Sequence, residues 1–211
     1  MKAIITGIQA ETLSPFAYHS LMVQGGSSTL PELISDQAIM FGLAATLGMM
    51  HASVCLPSTP KGYRRDLQAM PWRASVFTTQ TPKLLAPLTR RLNLEEEAGF
   101  RKRHYDVTSK GNFKTYFSTQ EVPAGITYHG AVFGFDPFEA TGCQELVLRI
   151  GLHRNGMLRL TPAKVEHVQL NAATAHLFGR ELSVERYLLY GIQLSPRMNS
   201  HDALAEVQQW N

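Results

Sequence analysis

The chain has 211 residues, of which 44% are hydrophobic and 18% charged. That composition excludes a disordered or collagen-like chain and suits one sizeable core. The formal net charge of +3 hides an asymmetry. From Lys61 to Lys114 twelve Lys or Arg stand against five Asp or Glu, whereas the rest of the chain carries eight and twelve. Charge concentrated in this way favours a polyanionic partner.

In chain order, KAIITGIQAE reads as a first strand over 2–10. LSPFAYHSLMVQGGSST, with proline and paired glycines, reads as a loop. LPELISDQAIMFGLAATLGMM spaces Leu33, Ile34, Ile39, Met40, Leu43, Leu47 and Met50 close to a helical period, with Ser35 or Asp36 as N-cap. Residues from about 56 to 120 keep no apolar period, and five prolines fall from Pro57 to Pro87. Long stretches of this kind are functional or disordered. Within it, LTRRLNLEEEAGF predicts a short helix with Arg90 and Arg91 beside an acidic, solvated face.

GITYHGAVFGF returns to strand character over 125–135. ELVLRIGLHRNGMLRLTPAKVEHVQL sets alternating runs on either side of Asn155-Gly156, a hairpin signal that predicts strands over 145–153 and 157–168. SVERYLLYGIQLSP reads as a last strand and DALAEVQQW as a C-terminal helix. This order predicts an α+β fold with helices on one face of an antiparallel sheet.

No nucleotide-binding loop, nucleophile elbow or zinc-protease motif is present. Cys55 and Cys143 form no CxxC pair. His51 and Cys55 could share a helical face, yet two ligands do not make a metal site. The sequence therefore predicts no metal and no cofactor. No apolar run reaches the roughly 20 residues of a membrane span, and MKAIITGIQAE lacks a signal-peptide core, so a cytoplasmic location is expected.

Two segments interleave cations with rings. FRKRHYDVTSKGNFKTYF holds Arg101, Lys102, Arg103, His104, Lys110 and Lys114 among Phe100, Tyr105, Phe113, Tyr116 and Phe117. KGYRRDLQAMPWR holds Lys61, Arg64, Arg65 and Arg73 with Tyr63 and Trp72. Cations neutralise phosphates, and rings stack on unpaired bases for about 1–3 kcal/mol per base, so the mixture suits single-stranded RNA better than a duplex. Ordinary strand aromatics and lysines on an exposed hairpin would give the first segment the same composition. A third set, Arg149, His153, Arg154 and Arg159, decorates the hairpin around Asn155, where charges also protect a sheet edge.

The order of these features resembles a family. SDQAIMFGLAATLG after a first strand, YRRDLQAMPWRASVF, the basic stretch, LVLRIGLHRNG and PRMNSHDALAEV together resemble the Cas-five-type RAMP subunits of multisubunit CRISPR effector (Cascade-like) complexes. The type I-D version is the closest resemblance and type IV the next.

The resemblance implies a single domain over 1–211 with a ferredoxin-like (RRM-related) core and a basic thumb inserted at about 61–120. It implies a subunit that grips the 5′ handle of the CRISPR RNA and caps the backbone filament for antiviral or anti-plasmid defence. The implied partners are a Cas-seven-type backbone subunit and the large subunit, with target nucleic acid met indirectly. On that picture Arg149, His153 and Arg154 also approach the handle. A binding subunit without catalysis is the preferred reading. A metal-independent endoribonuclease using His104, Tyr105 and Lys110 is the alternative, and an unrelated RNA-binding α+β module is the third.

Overall fold

The computed structural model describes residues 3–17, 21–23, 26–48, 63–91, 116–151 and 155–210. β1 (Ile5–Thr12) alternates half-buried and fully buried positions, the period-two pattern of a strand with two unlike faces. Two short strands, β2 (Leu21–Val23) and β3 (Gly26–Ser28), pair antiparallel where the sequence reads as a loop. β4 (Leu33–Ile34) then leads into α1 (Asp36–Thr46). Ser35 caps α1 as expected, its hydroxyl accepting from the Gln37 N–H at 3.2 Å.

α2 (Tyr63–Ala69), β5 (Arg73–Ala74) and β6 (Phe77–Thr78) follow. β7 (Leu88–Arg91) and β8 (Tyr116–Gln120) pair antiparallel, so Arg90 and Arg91 lie on a strand and not on the predicted helix. β9 (Thr127–Phe133) precedes α3 (Pro137–Thr141), β10 (Leu146–Ile150) and β11 (Gly156–Pro162). The hairpin of β10 and β11 forms as the sequence predicts. Gly156 already pairs with Ile150, so Asn155-Gly156 closes no two-residue turn and residues 151–155 make the connection. The C-terminal part holds β12 (His167–Val168), α4 (Ala172–Leu177), the hairpin β13 (Arg186–Leu189) and β14 (Ile192–Leu194), then β15 (Met198–Asn199) and α5 (Ser200–Val207).

The main sheet runs β10-β11-β1-β9-β6-β4, with β5 also paired to β9, and its recorded pairings are antiparallel. A second sheet, β2-β3-β8-β7, stands apart from it. The molecule is a mixed α/β fold built on an antiparallel sheet with few helices. α1 lies on one face of the main sheet, where a Cβ at Gly42 would meet the Leu148 and Ile150 side chains at 3.3 and 3.6 Å. The opposite face is also covered. A Cβ on Gly7 would come within 3.3 Å of the Val165 side chain, and Arg73, paired with Phe133 on β9, carries the Phe178 ring. The expectation of helices on one face therefore gives way to cover on both.

Gly130 shows how tightly this core closes, since a Cβ there would overlap the Phe77 ring, which is fully buried. Beneath α1 lies a buried polar node. Asn171 caps α4, accepting from the Ala173 N–H, and donates to Asp36 Oδ1 at 2.9 Å and to the Gly191 carbonyl at 2.9 Å. Asp36 is fully buried and its Oδ2 has no partner. Burial pushes the Asp36 carboxyl above the usual carboxylate range, against hydrogen bonds from Thr174, Asn171, Gln37 and Ser35 that favour the charged form.

The folded state thus holds a proton that the unfolded chain would release, and its stability is penalised above the raised folded pKa. The penalty is relieved as pH falls through that value and is gone below the ordinary unfolded value. We expect Asp36→Asn to raise the urea midpoint at neutral pH and to flatten the gain in stability that wild type shows on mild acidification. A lower midpoint at neutral pH, with the acid gain intact, would place the carboxylate's charge among the stabilising groups.

Candidate nucleic-acid interface

β7 and β8 pair in register from Leu88 opposite Thr119, through Thr89 with Ser118 and Arg90 with Phe117, to Arg91 opposite Tyr116. Residues 92–115, with most of the basic stretch, are thus the connection between the far ends of two paired strands. The inner strand is anchored: β8 runs parallel to β3 from Gly26 opposite Ser118 to Ser28 opposite Gln120, and Thr29 Oγ1 donates to the Gln120 carbonyl at 3.0 Å. The Leu85 N–H donates to the Glu121 carbonyl at 2.8 Å, which ties the irregular segment leading into β7 to the residue after β8. Lys83, Leu85 and Leu88 are exposed along this approach.

The expected RNA contacts divide into three groups. Lys61, Arg101, Lys102, Arg103, His104, Tyr105, Lys110, Phe113, Lys114, His153 and Arg154 lie outside the described residues. Tyr63 and Arg64 begin α2 and Tyr116 begins β8. Arg65 on α2 and Arg149 on β10 are exposed, and Arg149 is paired in register with Met157 on the sheet face opposite Leu148.

Trp72 and Arg73 form the third group, and the structure corrects both. Trp72 is 1% exposed and its ring packs at 5.1 Å from that of Phe135, so no base can reach it. Arg73 is 7% exposed, and its Nη1 donates to the Met70 and Trp72 carbonyls at 2.7 and 2.8 Å. Leu67, Met70, Ala74, Val76 and Phe77 are buried beside them. The part of the 61–120 stretch from Leu67 to Phe77 therefore contributes to the core.

Arg159 is not available to phosphate as a bare charge either, because Glu11 across the β1–β11 pair accepts from its Nη2 at 2.6 Å. Sequence reasoning read Arg90 and Arg91 into a helix and left them out of the candidate site. The ladder sets Arg90 opposite Phe117 and Arg91 opposite Tyr116. The signal for it was the run of Leu88-Thr89 before them and Tyr116–Thr119 opposite, both compatible with strand pairing.

Among the described residues no group of three His, Cys, Asp or Glu could hold a metal ion, and no helix is long and apolar enough to cross a membrane.

No family model matches the chain, and no curated protein does. Among solved structures, it is similar to a chain of a cryo-EM structure of the Type III-B Cmr-beta bound to cognate target RNA and AMPPnP. The identity is 12% and the TM-score 0.43, over 92% of this chain and 83% of that one.

Proposed function

We propose that the chain is an RNA-binding subunit of a multisubunit CRISPR effector complex, holding the 5′ handle of the CRISPR RNA at one end of the backbone filament. In this reading it contacts a Cas-seven-type backbone subunit and the large subunit, acts in the cytoplasm in antiviral or anti-plasmid defence, and cuts no RNA. The type I-D version is the first choice of subtype and type IV the second. The observation that carries the reading is the pairing of β7 with β8, and of β8 with β3, which ties both ends of the most basic, ring-bearing stretch of the chain to paired strands. A basic, ring-bearing stretch with both ends tied in this way can follow a single-stranded backbone while its rings take unstacked bases.

The core supports the same assignment. With the intervening short elements set aside, β1, α1, β5 with β6, β9, α3 and β11 come in the order β-α-β-β-α-β and lie in the sheet as β11-β1-β9-β6, which supports a ferredoxin-like reading with a reduced second helix and β10 added at the edge. On this reading the thumb is the 88–120 arm. Arg101, Lys102, Arg103, Lys110, Lys114, Arg90 and Arg91 meet phosphates, while Tyr105, Phe113 and Tyr116 stack. Lys61, Tyr63, Arg64 and Arg65 on or beside α2 extend the basic surface, and Arg149, His153 and Arg154 meet the handle from the hairpin.

The test is binding of the purified chain, in EDTA, to an end-labelled RNA carrying the repeat-derived 5′ handle, beside a scrambled RNA, with products run on a denaturing gel. Preference for the handle with the RNA intact is the expected result. A discrete product that persists in EDTA and disappears in His104→Ala would make the chain an endoribonuclease. Equal affinity for both RNAs would leave a general RNA-binding module.

A further inference from the structure

Among the described residues Arg73 is a buried cation without a counter-ion. Other arginines behave otherwise: Arg159, Arg180 and Arg186 each meet a glutamate, at 2.6, 2.9 and 2.9 Å. Around Arg73 the described residues supply no carboxylate partner. Nη1 is committed to the carbonyls of Met70 and Trp72, the guanidinium carbon lies 4.3 Å from the centre of the Phe178 ring, and Nε is buried with no hydrogen-bond partner. Burial lowers the Arg73 pKa to about 10, which still leaves the side chain charged at neutral pH. A buried charge in this state is costly unless something completes it.

That something has room to sit. Arg73 lines a cleft of about 900 Å³, walled by apolar Ile4, Met70, Phe135 and Trp210 and flanked by Asp136 and Glu139. Its volume is that of a small-molecule site. Asp136 is already occupied as the cap of α3, its Oδ1 accepting from the Phe138 and Glu139 N–H groups at 2.9 and 3.2 Å, so it is not a partner held in reserve for Arg73. The walls ask for an apolar body and the guanidinium for an anion. The two carboxylates decide which anion: a dianionic phosphate or a nucleic-acid strand would bring repeated negative charge beside them, whereas a carboxylate brings one charge, which Arg73 neutralises.

We propose that this cleft binds an apolar carboxylate, its acid group on Arg73 and its body against Phe135 and Trp210. Two sources share that chemistry: a free aryl or alkyl acid, and an Asp or Glu beside an apolar side chain in a partner protein's segment. None of the residues that line the cleft belongs to β7 or β8.

Proton–nitrogen NMR of the Trp210 indole reads the cleft directly, since that ring lines it. The probes are 3-phenylpropionate, its uncharged analogue 3-phenylpropan-1-ol, inorganic phosphate, oligouridylate and the capped peptide acetyl-Gly-Phe-Asp-Gly-amide. We expect saturable shifts with phenylpropionate or the peptide, and a Kd raised at least about tenfold in Arg73→Gln, the loss of a charge-assisted hydrogen bond. Ala140 lines the cleft and is exposed, so Ala140→Trp should block it with Arg73 intact, and this variant decides the matter if Arg73→Gln does not fold. Tighter binding of the peptide assigns the site to a protein partner, and tighter binding of the free acid assigns it to a small molecule. Equal binding of the alcohol, stronger binding of phosphate or oligouridylate, or no shift with any probe overturns the proposal.

Discussion

Trp72→Ala should lower the free energy of unfolding by about 3–5 kcal/mol, the usual cost of removing a large ring from a close-packed interior. The ring is 1% exposed and lies against Phe135 with the two planes inclined by 32°. Few side chains stand ready to collapse into the space, because the strands beside it are fixed in register: Arg73 with Phe133 and Ala74 with Val132. Trp72→Phe should cost much less. It leaves a smaller cavity, and it also removes an indole N–H that is buried without a partner, a group that is itself unfavourable. Urea unfolding of both variants, with RNA binding measured on the folded fraction, separates the two roles that the sequence allows. A large loss of stability with unchanged affinity is expected. Unchanged stability with weakened RNA binding would put the ring at the interface.

The reason that Trp72 misleads lies in the chemistry of the residue types. Tryptophan and arginine serve both cores and nucleic-acid surfaces, and KGYRRDLQAMPWR has no apolar period to choose between them. The deciding information is tertiary: β5 and β6 are two residues each, too short to show alternation, and they are strands only because β9 and β4 pair with them. Where an element carries its own pattern the sequence reads correctly. β1 and the β10–β11 pair alternate along their length, β9 alternates only over its first residues, α1 has Ser35 to start it, and α5 has an amphipathic run. α3 was legible too, since Asp136 followed by Pro137 is an N-cap and first-turn signal, but its five residues are easily passed over.

The site divides along the same line. The basic stretch is visible as composition, and its charge needs no fold to be recognised. What presents it is not visible, because Arg91 opposite Tyr116 joins positions separated by the whole insertion. Arg73 is the opposite case, a cation that composition assigned to RNA and that packing withdraws from it. The cleft beside it gathers Ile4, Arg73, Asp136 and Trp210 from four distant parts of the chain, and no local motif announces such a site.

Neutralising Arg101, Lys102 and Arg103 together should weaken binding of the handle RNA by about a hundredfold at ~0.1 M salt and hardly at all near ~1 M. Each phosphate contact on a single strand contributes about 0.7 to the slope of log affinity against log salt, so three lost contacts remove about two units of slope. At ~0.1 M each unit is worth about a factor of ten relative to ~1 M, which sets the size of the effect and its disappearance at high salt. Arg90→Ala with Arg91→Ala should act in the same direction by about one unit, if the ladder that sets them beside Phe117 and Tyr116 faces the RNA. Stability should stay within about 0.5 kcal/mol for the triple variant, as for most surface substitutions, and a urea titration checks it. An unchanged affinity and slope would remove the basic stretch from the interface. The comparison with scrambled RNA then carries the remaining information. Equal losses on both RNAs would mean that these cations read only the phosphate backbone, which leaves handle recognition to the rings that they flank. A larger loss on the handle would mean that the cations also fix the bent path of the strand from which the rings select bases.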